Sequence, residues 1–358
     1  MMKLNFNAGA APLPQAVISD AAQALFELEQ TGISILGLGH RSAKFKSYLA
    51  ESKQLVLQLL GLDAAEYEVI WFQGGGRMQF ELIPMNFLGE KEMAAYIDSG
   101  HWAHEAMKSA SRYGKVHLAA SSREQSYSTI PEGIDIPAEA KYLHLTANNT
   151  IYGTQFHQFP QTSVPLIADF SSELFSRRVD YSRFGLIYAV AQKNIGPAGA
   201  TLVVIRKDML AMQARSLPDI MSFKAMAEQN SLVNTAPVFA IYVSLLNLRH
   251  MAGKGLDSIE EESKAKAQLL YELIDSSSLY QGMAAKDCRS RMNVCFRLSE
   301  RHLEPTLLHF AEDNNIVGIE GHRSVGGFRI SLYNGISIEA VEHLVAVLQK
   351  FEQLHKNT

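Results

Sequence analysis

Apolar residues recur at intervals of three and four in two early stretches of the chain. Residues 15–30 and 43–60 show this spacing, which predicts two amphipathic helices. Short continuous apolar runs then alternate with helical stretches. These runs predict strands at residues 67–72, 94–98, 141–145, 165–169, 186–191 and 200–205. Continuous apolar strands between helices are typical of a mostly parallel sheet covered on both faces, so residues 16–255 are predicted to form one large α/β domain.

The pattern changes after Gly255. A polar helix is predicted first, and two further helices then alternate with two strands. The predicted elements are a helix at 258–275, a strand at 291–298, a helix at 303–314, a strand at 326–333 and a helix at 338–354. We assign residues 256–358, with the N-terminal segment 1–15, to a smaller α+β domain. A cleft between two such domains is a common site for a cofactor.

Composition excludes several classes of partner. The chain has 33 basic and 37 acidic side chains, a net charge of −4. It therefore lacks the excess of positive charge that is typical of proteins that bind nucleic acid or an anionic membrane. Its two cysteines are not a disulfide framework, and this usage fits a reducing compartment. The first residues lack the apolar stretch of a signal peptide, and no apolar run approaches the ~18 residues of a membrane span. We therefore expect a cytoplasmic protein.

Lys193 is the first candidate for chemistry. It follows a run apolar enough to be a buried strand, and Gly196, Pro197 and Gly199 come directly after it. Open α/β sheets place ligands at the carboxyl ends of their strands. Partial burial there would lower the pKa of the lysine and favour imine formation with a carbonyl group. From position alone, a lysine that simply reaches solvent is the commoner case.

Three other segments add to this candidate. Residues 74–77, three glycines and an arginine between a strand and a helix, suit a bound phosphate or a tight turn. Asp169 ends an apolar strand, where a carboxylate either caps a helix or pairs with the pyridine nitrogen of a cofactor. Trp102 follows a turn, and it either packs in the core or stacks on a flat ring. Together with Lys193, this set predicts a pyridoxal-phosphate site.

These segments resemble those of the phosphoserine aminotransferases, in the class V group of aminotransferases. The segment 191–199, which contains Lys193, and the segment 321–329 are the most specific parts. The other matching segments are 40–41, 74–77, 169–172 and 234–235, in the family's order along nearly the whole chain. The resemblance implies the aspartate-aminotransferase-like fold, fold type I of the pyridoxal-phosphate enzymes. That fold has a large, mostly parallel seven-stranded sheet domain and a smaller α+β domain.

The resemblance also implies roles for particular residues. Lys193 would bind pyridoxal 5′-phosphate covalently and move a proton between the substrate Cα and the cofactor, while Asp169 would hold the pyridine nitrogen. The implied cofactor-binding residues are Gly76, Arg77, Trp102, Thr150, Asp169, Gln192, Lys193, Asn234 and Thr235. The implied substrate-binding residues are His40, Arg41, His322, Arg323 and Arg329. Arg329 would pair with the α-carboxylate, and the two His-Arg pairs would bind the distal phosphate or carboxylate.

The implied reaction transfers the amino group of L-glutamate to 3-phosphohydroxypyruvate, giving O-phospho-L-serine and 2-oxoglutarate in serine biosynthesis. Asn234 and Thr235 would reach the cofactor of the partner subunit, so the resemblance implies a homodimer with shared active sites. The chain departs from the family pattern at Ala8, Ala10 and Ala236. These departures weaken the substrate assignment more than the cofactor assignment.

Other interpretations remain open at this point. Another class V transaminase, acting on serine, alanine or glyoxylate, would not need two His-Arg pairs. A cysteine desulfurase would need an exposed cysteine; we expect Cys295 to be core and Cys288 to be more exposed. A non-catalytic regulator would not need Lys193. A metal enzyme is not expected, since His101 and His104 share a helical face without further ligands and are predicted to be a solvated pair.

Overall fold

The computed structural model describes residues 3–355. Met1, Met2 and residues 356–358, which belong to the predicted smaller domain, lie outside the described residues. The helices are α1 (Gln15–Phe26), α2 (Ala43–Leu60), α3 (Arg77–Phe87), α4 (His101–Ala110), α5 (Ala191–Asn194), α6 (Phe223–Glu228), α7 (Val238–Lys254), α8 (Leu256–Ser276), α9 (Glu304–Asp313) and α10 (Ile338–His355). The strands are β1 (Leu4–Asn5), β2 (Tyr67–Gln73), β3 (Met93–Asp98), β4 (Lys115–Ser121), β5 (Leu143–Thr146), β6 (Asn148–Asn149), β7 (Thr154–Gln155), β8 (Leu166–Asp169), β9 (Leu186–Val190), β10 (Ala200–Arg206), β11 (Tyr280–Gly282), β12 (Asn293–Leu298), β13 (Ile316–Val317) and β14 (Phe328–Ser331).

A seven-stranded sheet forms the centre of the large α/β part. Its order is β2-β10-β9-β8-β5-β3-β4. Neighbouring strands pair in parallel from β9 to β4, whereas β10 runs antiparallel to both β9 and β2. The predicted mostly parallel seven-stranded sheet is confirmed. Because β5, β8 and β9 are parallel neighbours, the residues at their carboxyl ends meet at one edge of the sheet.

Helices cover both faces of this sheet. One core lies between the sheet and α1, α2 and α7, and it includes Trp71, whose Nε1 donates to Ser52 Oγ at 3.0 Å. The other core lies between the opposite face and α3, α4 and α6, and it includes Tyr96 and Tyr188. This three-layer packing explains why the strands read as continuous apolar runs, since both of their faces are buried.

Local signals decide where the elements end. Helix α2 has the bounds that were predicted; Ser42 Oγ accepts from the Phe45 N–H at 3.2 Å, and Gly61 ends the helix with φ 65°. Helix α1 is shorter than predicted because the chain turns at Glu29 and Gln30, where φ is positive. Strand β4 was not predicted. It is an edge strand, bonded to β3 alone, and its exposed positions lack the apolar run of a central strand.

The C-terminal elements build a second hydrophobic core. Strands β11, β12 and β14 form an antiparallel sheet, which packs with α8, α9 and α10. The N-terminal segment belongs to the same core through Phe6, and β1 pairs in parallel with β13. The division at residues 255 and 256 stays a prediction. None of the helices in residues 3–355 is both long and apolar enough to cross a membrane.

Candidate active site

Lys193 lies where β9 passes into the short helix α5. Its side chain is partly buried, and the N-terminal segment packs over it. The Ala11 N–H donates to the Gln192 carbonyl at 2.9 Å, and a Cβ placed at Gly9 would be 4.0 Å from Lys193 Cγ. Burial lowers the pKa of the Lys193 ammonium, the charge of Arg329 adds to this effect, and Asp169 opposes it. This environment therefore makes the neutral, nucleophilic amine easier to form than it is for a lysine in solvent.

Asp169 ends β8 and is 8% exposed. Its Oδ1 accepts from the Ser171 N–H at 2.8 Å, and the chain continues into turns rather than a helix, so the carboxylate does not serve as a helix cap. Ser171 also fixes the next strand, because its Oγ accepts from the Val190 N–H at 3.2 Å. Asp169 is thus a buried carboxylate beside the lysine turn, held by the backbone of its own loop.

The glycine loop and Trp102 approach the same edge of the sheet. Gly76 directly precedes α3, and a Cβ there would lie 2.9 Å from Val190 Cγ1, so only glycine fits this close approach. The Arg77 guanidinium lies over the Trp102 ring, 5.3 Å from its centroid. The amino end of α3 therefore lies against the end of β9, with the cationic Arg77 side chain between Trp102 and Glu105, 3.9 Å from the latter, and a helix terminus of this kind suits a phosphate group.

Arg329 reaches this site from β14. Its Nη1 donates to the Thr150 carbonyl at 3.2 Å, and its charge influences Lys193 and His322. Thr150 is 3% exposed and lies in the turn between β6 and β7. The guanidinium thus stands between the lysine turn and the loop at residues 321–327, where a second carboxylate or phosphate could bind.

A buried hydrogen-bond network fixes β14 relative to the main sheet. Asn148 Nδ2 donates to Ser172 Oγ at 2.7 Å and to Asn293 Oδ1 at 2.8 Å. Asn293 Nδ2 in turn donates to Ser331 Oγ at 3.0 Å. The four side chains are at most 3% exposed. Because Asn148 is two positions before Thr150, and Ser331 is two positions after Arg329, the network holds the arginine in register with the Asp169 loop.

His322 and Arg323 lie in the loop between β13 and β14. His322 is half-buried, and Arg323 is exposed. The His322 ring lies 6.1 Å from the ring of His101, between centroids. Sequence reasoning missed His101, which was interpreted with His104 as a solvated pair. That interpretation is wrong, since His101 packs against Trp102 and His322, whereas His104 Nδ1 contacts Arg123 Nη2 at 2.6 Å.

Four of the predicted site residues are not among the contacts described so far. Arg41 is exposed and lines a groove of about 580 Å³ together with Gln229 and Asn230. Asn234 and Thr235 come a few residues after Asn230 in the chain, in the loop before α7. Among residues 3–355, the contacts of Lys193, Asp169 and Arg329 include none of His40, Arg41, Asn234 or Thr235. The single chain therefore brings together one part of the predicted site, and these four residues lie outside the contacts of that part.

The structure places both cysteines and two of the three alanines at which the chain departs from the family pattern. Cys295 is core as predicted, and burial raises the pKa of its thiol to about 12. Cys288 is more exposed than Cys295, as expected, but only slightly; it is 6% exposed against 3%, and its Sγ donates to the Ala285 carbonyl at 3.5 Å. Neither thiol suits a desulfurase nucleophile. Ala236 is buried in the core, and the Ala8 carbonyl accepts from Tyr333 Oη at 3.0 Å.

A second polar group lies behind Asp169. Tyr188 pairs in register with Asp169, and its hydroxyl lies 3.1 Å from His144 Nε2. Burial raises the pKa of Tyr188, and the charge of Asp169 and its hydrogen bond add to that effect. Burial lowers the pKa of His144 to about 3. The two side chains therefore stay neutral and support the carboxylate from the interior, a role that no sequence pattern indicated.

This buried histidine makes stability depend on pH. The folded ring stays neutral down to its pKa of about 3, whereas the unfolded ring binds a proton below the ordinary value of 6.5. Stability from His144 is thus present above pH 6.5 and lost as pH falls, at up to ~1.4 kcal/mol per pH unit. In urea unfolding at pH 7 and pH 5, H144F should lose less stability than the wild type. The exposed control H302F should follow the wild type, and equal losses in H144F would contradict the assignment.

Within residues 3–355, no group of three or more His, Cys, Asp or Glu side chains is arranged to hold a metal ion. The arrangement instead joins a partly buried lysine, a buried carboxylate, a glycine-lined helix terminus, an aromatic ring and an arginine. These groups suit a phosphorylated, planar, anionic cofactor with a carbonyl group that a lysine can attack.

Comparisons with known proteins identify a family with these features. The sequence model of the class-V aminotransferases matches residues 3–344. A phosphoserine aminotransferase of Flavobacterium johnsoniae is 43% identical over 98% of this chain and 99% of its own length. The solved phosphoserine aminotransferase of Bacillus circulans subsp. alkalophilus has a TM-score of 0.95 at 41% identity, with 98% of each chain covered.

More distant transaminases share only the architecture. The solved alanine–glyoxylate aminotransferase of a Nostoc species has a TM-score of 0.77 at 16% identity, over 98% of this chain and 95% of its own. The rival assignment to a transaminase of that type is therefore not favoured. The fold, the site and the similarity along the full length agree, and the chain belongs to the phosphoserine aminotransferases, a family of class V pyridoxal-phosphate-dependent aminotransferases.

Proposed function

We propose that the protein transfers the amino group of L-glutamate to 3-phosphohydroxypyruvate, giving O-phospho-L-serine and 2-oxoglutarate in serine biosynthesis. The observation that carries this proposal is that Lys193 and Asp169 follow neighbouring parallel strands at one edge of the sheet, with Arg329 bonded to the Thr150 carbonyl there, in a chain that matches phosphoserine aminotransferases along its length. A cytoplasmic location is part of the proposal, in keeping with two free cysteines.

The residues at the sheet edge fit pyridoxal 5′-phosphate. The close approach at Gly76 leaves backbone N–H groups at the start of α3 for the phosphate, and we assign Arg77 and Gln192 to the same group. The buried carboxylate of Asp169 suits a protonated ring nitrogen, and Trp102 supplies a flat apolar face. When bound, the cofactor supplies an electron sink for the charge that develops as the substrate Cα loses its proton.

The chain's own groups would then perform the proton transfer. Lys193 would hold the cofactor through its carbonyl group, and its Nζ would carry the proton that leaves the substrate Cα. Burial lowers the pKa of Lys193, which makes the neutral amine for this step easier to reach. Asp169 would hold the ring nitrogen in its protonated form. Arg329 binds the substrate α-carboxylate in a bidentate manner and so orients the Cα–H bond towards Lys193.

The distal anion of the substrate is assigned to His322 and Arg323 of the same chain. His40 and Arg41, with Asn234 and Thr235, are assigned to the site of a second copy of the chain. The exposure of Arg41 and Thr235, and the absence of all four residues from the described contacts of Lys193, Asp169 and Arg329, support this division. A symmetric dimer places the same patch of each subunit against the other, so each subunit would complete its partner's site.

An apolar surface beside these residues supports the homodimer. Phe26 is 84% exposed and Leu36 is 70% exposed, and both precede His40 in the chain. Ile18, Leu25 and Ile33 are also exposed in the same segment. Exposed large apolar side chains in one region are typical of an interface between subunits. Burial of this surface would bring His40 and Arg41 to the second subunit.

Visible absorption tests the proposed reaction. The protein purified with pyridoxal phosphate should be yellow, and O-phospho-L-serine should remove the visible band as the amino group moves to the cofactor. Plain L-serine at the same concentration should have little effect, because it lacks the phosphate that His322 and Arg323 would bind. A yellow protein indifferent to O-phospho-L-serine would contradict the proposed substrate but keep the family assignment.

A further inference from the structure

His101 is the first residue of α4 and occupies a fixed position. A Cβ at Gly100 would overlap the Asn149 amide, whose Nδ2 donates to the Ser99 carbonyl at 2.7 Å. This contact fixes the start of α4 against the turn that carries Thr150. The His101 ring lies 4.9 Å from that of Trp102 and 6.1 Å from that of His322, and the two imidazole planes are inclined by 35°. His101 therefore connects the aromatic side of the site with the loop at residues 321–327.

The hydrogen bonds of His322 define which nitrogen can donate to a ligand. The Ser324 N–H approaches Nδ1 at 3.3 Å, and Ser324 Oγ lies 2.7 Å from the same atom. A backbone N–H can only donate, so Nδ1 is the acceptor and the neutral ring carries its proton on Nε2. His322 thus has one N–H available for a ligand, and the neighbouring ring of His101 can provide another.

Positive charges surround these two imidazoles. Burial lowers the pKa of His322, and the charges of Arg329, His101 and Arg323 add to that effect. A group of cations and imidazoles that disfavour one another's charge is stabilised by a bound anion. The described contacts of His101 include no carboxylate, whereas His104 on the next turn of the helix contacts Arg123.

We propose that His101 is a specificity-determining residue, which donates a hydrogen bond to the phosphate of the substrate beside His322. This inference rests on the proposed function. A phosphate ester presents three terminal oxygens and up to two negative charges, whereas the side-chain carboxylate of glutamate presents two oxygens and one charge. The additional donor therefore contributes more to phosphorylated substrates than to glutamate, and it favours the phosphorylated partner of the reaction.

The experiment compares two substrates in one half-reaction. With the holoenzyme, the change in visible absorbance gives a half-saturating concentration and a limiting rate for O-phospho-L-serine and for L-glutamate. In H101A we expect the half-saturating concentration to rise about tenfold for O-phospho-L-serine, as for the loss of one hydrogen bond to a charged group. We expect a change below about threefold for L-glutamate and little change in either limiting rate. Inhibition of the glutamate reaction by inorganic phosphate should weaken in parallel.

Two variants serve as references. H104A changes the same residue type on the next turn of α4, and it should resemble the wild type with both substrates. R323A should also weaken O-phospho-L-serine far more than L-glutamate. H101Q, which retains an N–H donor, should recover part of the loss in H101A.

Each other outcome has a distinct meaning. Equal losses for the two substrates in H101A, or a lower limiting rate with both, would show that His101 acts only by supporting Trp102 and would overturn the inference. No change in H101A would overturn it as well. A wild-type protein that reacts with L-glutamate but not with O-phospho-L-serine would refute the proposed function itself, and this inference with it.

Discussion

Replacing Lys193 with alanine is expected to lower turnover by at least ~10²–10⁴-fold, the contribution of a positioned proton-transfer group. The loss of the covalent bond to the cofactor would add to this effect. The physical reason is the position of Nζ, which is partly buried beside Asp169 and Arg329, with a pKa lowered by burial. The measurement is the rate of 2-oxoglutarate formation from L-glutamate and 3-phosphohydroxypyruvate, together with the visible spectrum.

A matched control is available one strand away. Lys207 follows β10 as Lys193 follows β9, but its Nζ donates to the Ala64 carbonyl at the opposite end of the sheet. K207A should keep wild-type activity and the yellow colour. K193A should keep the wild-type circular dichroism spectrum, because the change is confined to one side chain that belongs to none of the hydrophobic cores. Turnover within tenfold of the wild type in K193A would refute the assignment of the catalytic lysine.

Mixed dimers are expected to restore activity that both parent variants lack. The shared-site proposal places Lys193 of one subunit with His40 and Arg41 of the other. A K193A subunit therefore offers intact anion-binding residues, and an H40A/R41A subunit offers an intact lysine. A heterodimer of the two contains one complete site and one doubly defective site, so it should show about half of the wild-type activity per dimer.

Co-expression of the two variants with different affinity tags, and purification on both tags, isolates this heterodimer. Each parent homodimer, purified in the same way, provides the baseline. If each site were built within a single chain, the heterodimer would show only the mean of the two parents. A monomeric protein at assay concentrations would also refute the shared site, and size-exclusion chromatography with light scattering measures this directly.

The helices and strands could be predicted where the apolar periodicity of a segment agrees with the residues that begin and end it. Helix α2 was predicted with its observed bounds, because its apolar spacing lies between Ser42 and Gly61. The six predicted strands are all present in the sheet. Strand β4 was missed because an edge strand needs no continuous apolar run, and α1 was extended too far because its apolar spacing continues to Leu28, past the end of the helix at Phe26.

The candidate site could be predicted only in part. Lys193, Asp169 and residues 74–77 follow strands, so the direction of the strands sufficed to bring them together. His101 was misjudged because a helical face gives no information on what lies opposite it. His144 and Tyr188 carry no motif, and their role follows only from the register of β5, β8 and β9.

The sequence by itself determined the fold class and the family and predicted the residues for the chemistry, because each depends on local spacing or on a motif along the chain. Tertiary structure decided which of these residues meet within one chain. It brought Arg329 from β14 to Thr150 and His322 to His101, whereas Arg41 lines a separate groove. Such contacts join residues far apart in the chain, and they are set by packing and buried hydrogen bonds rather than by the neighbours of each residue.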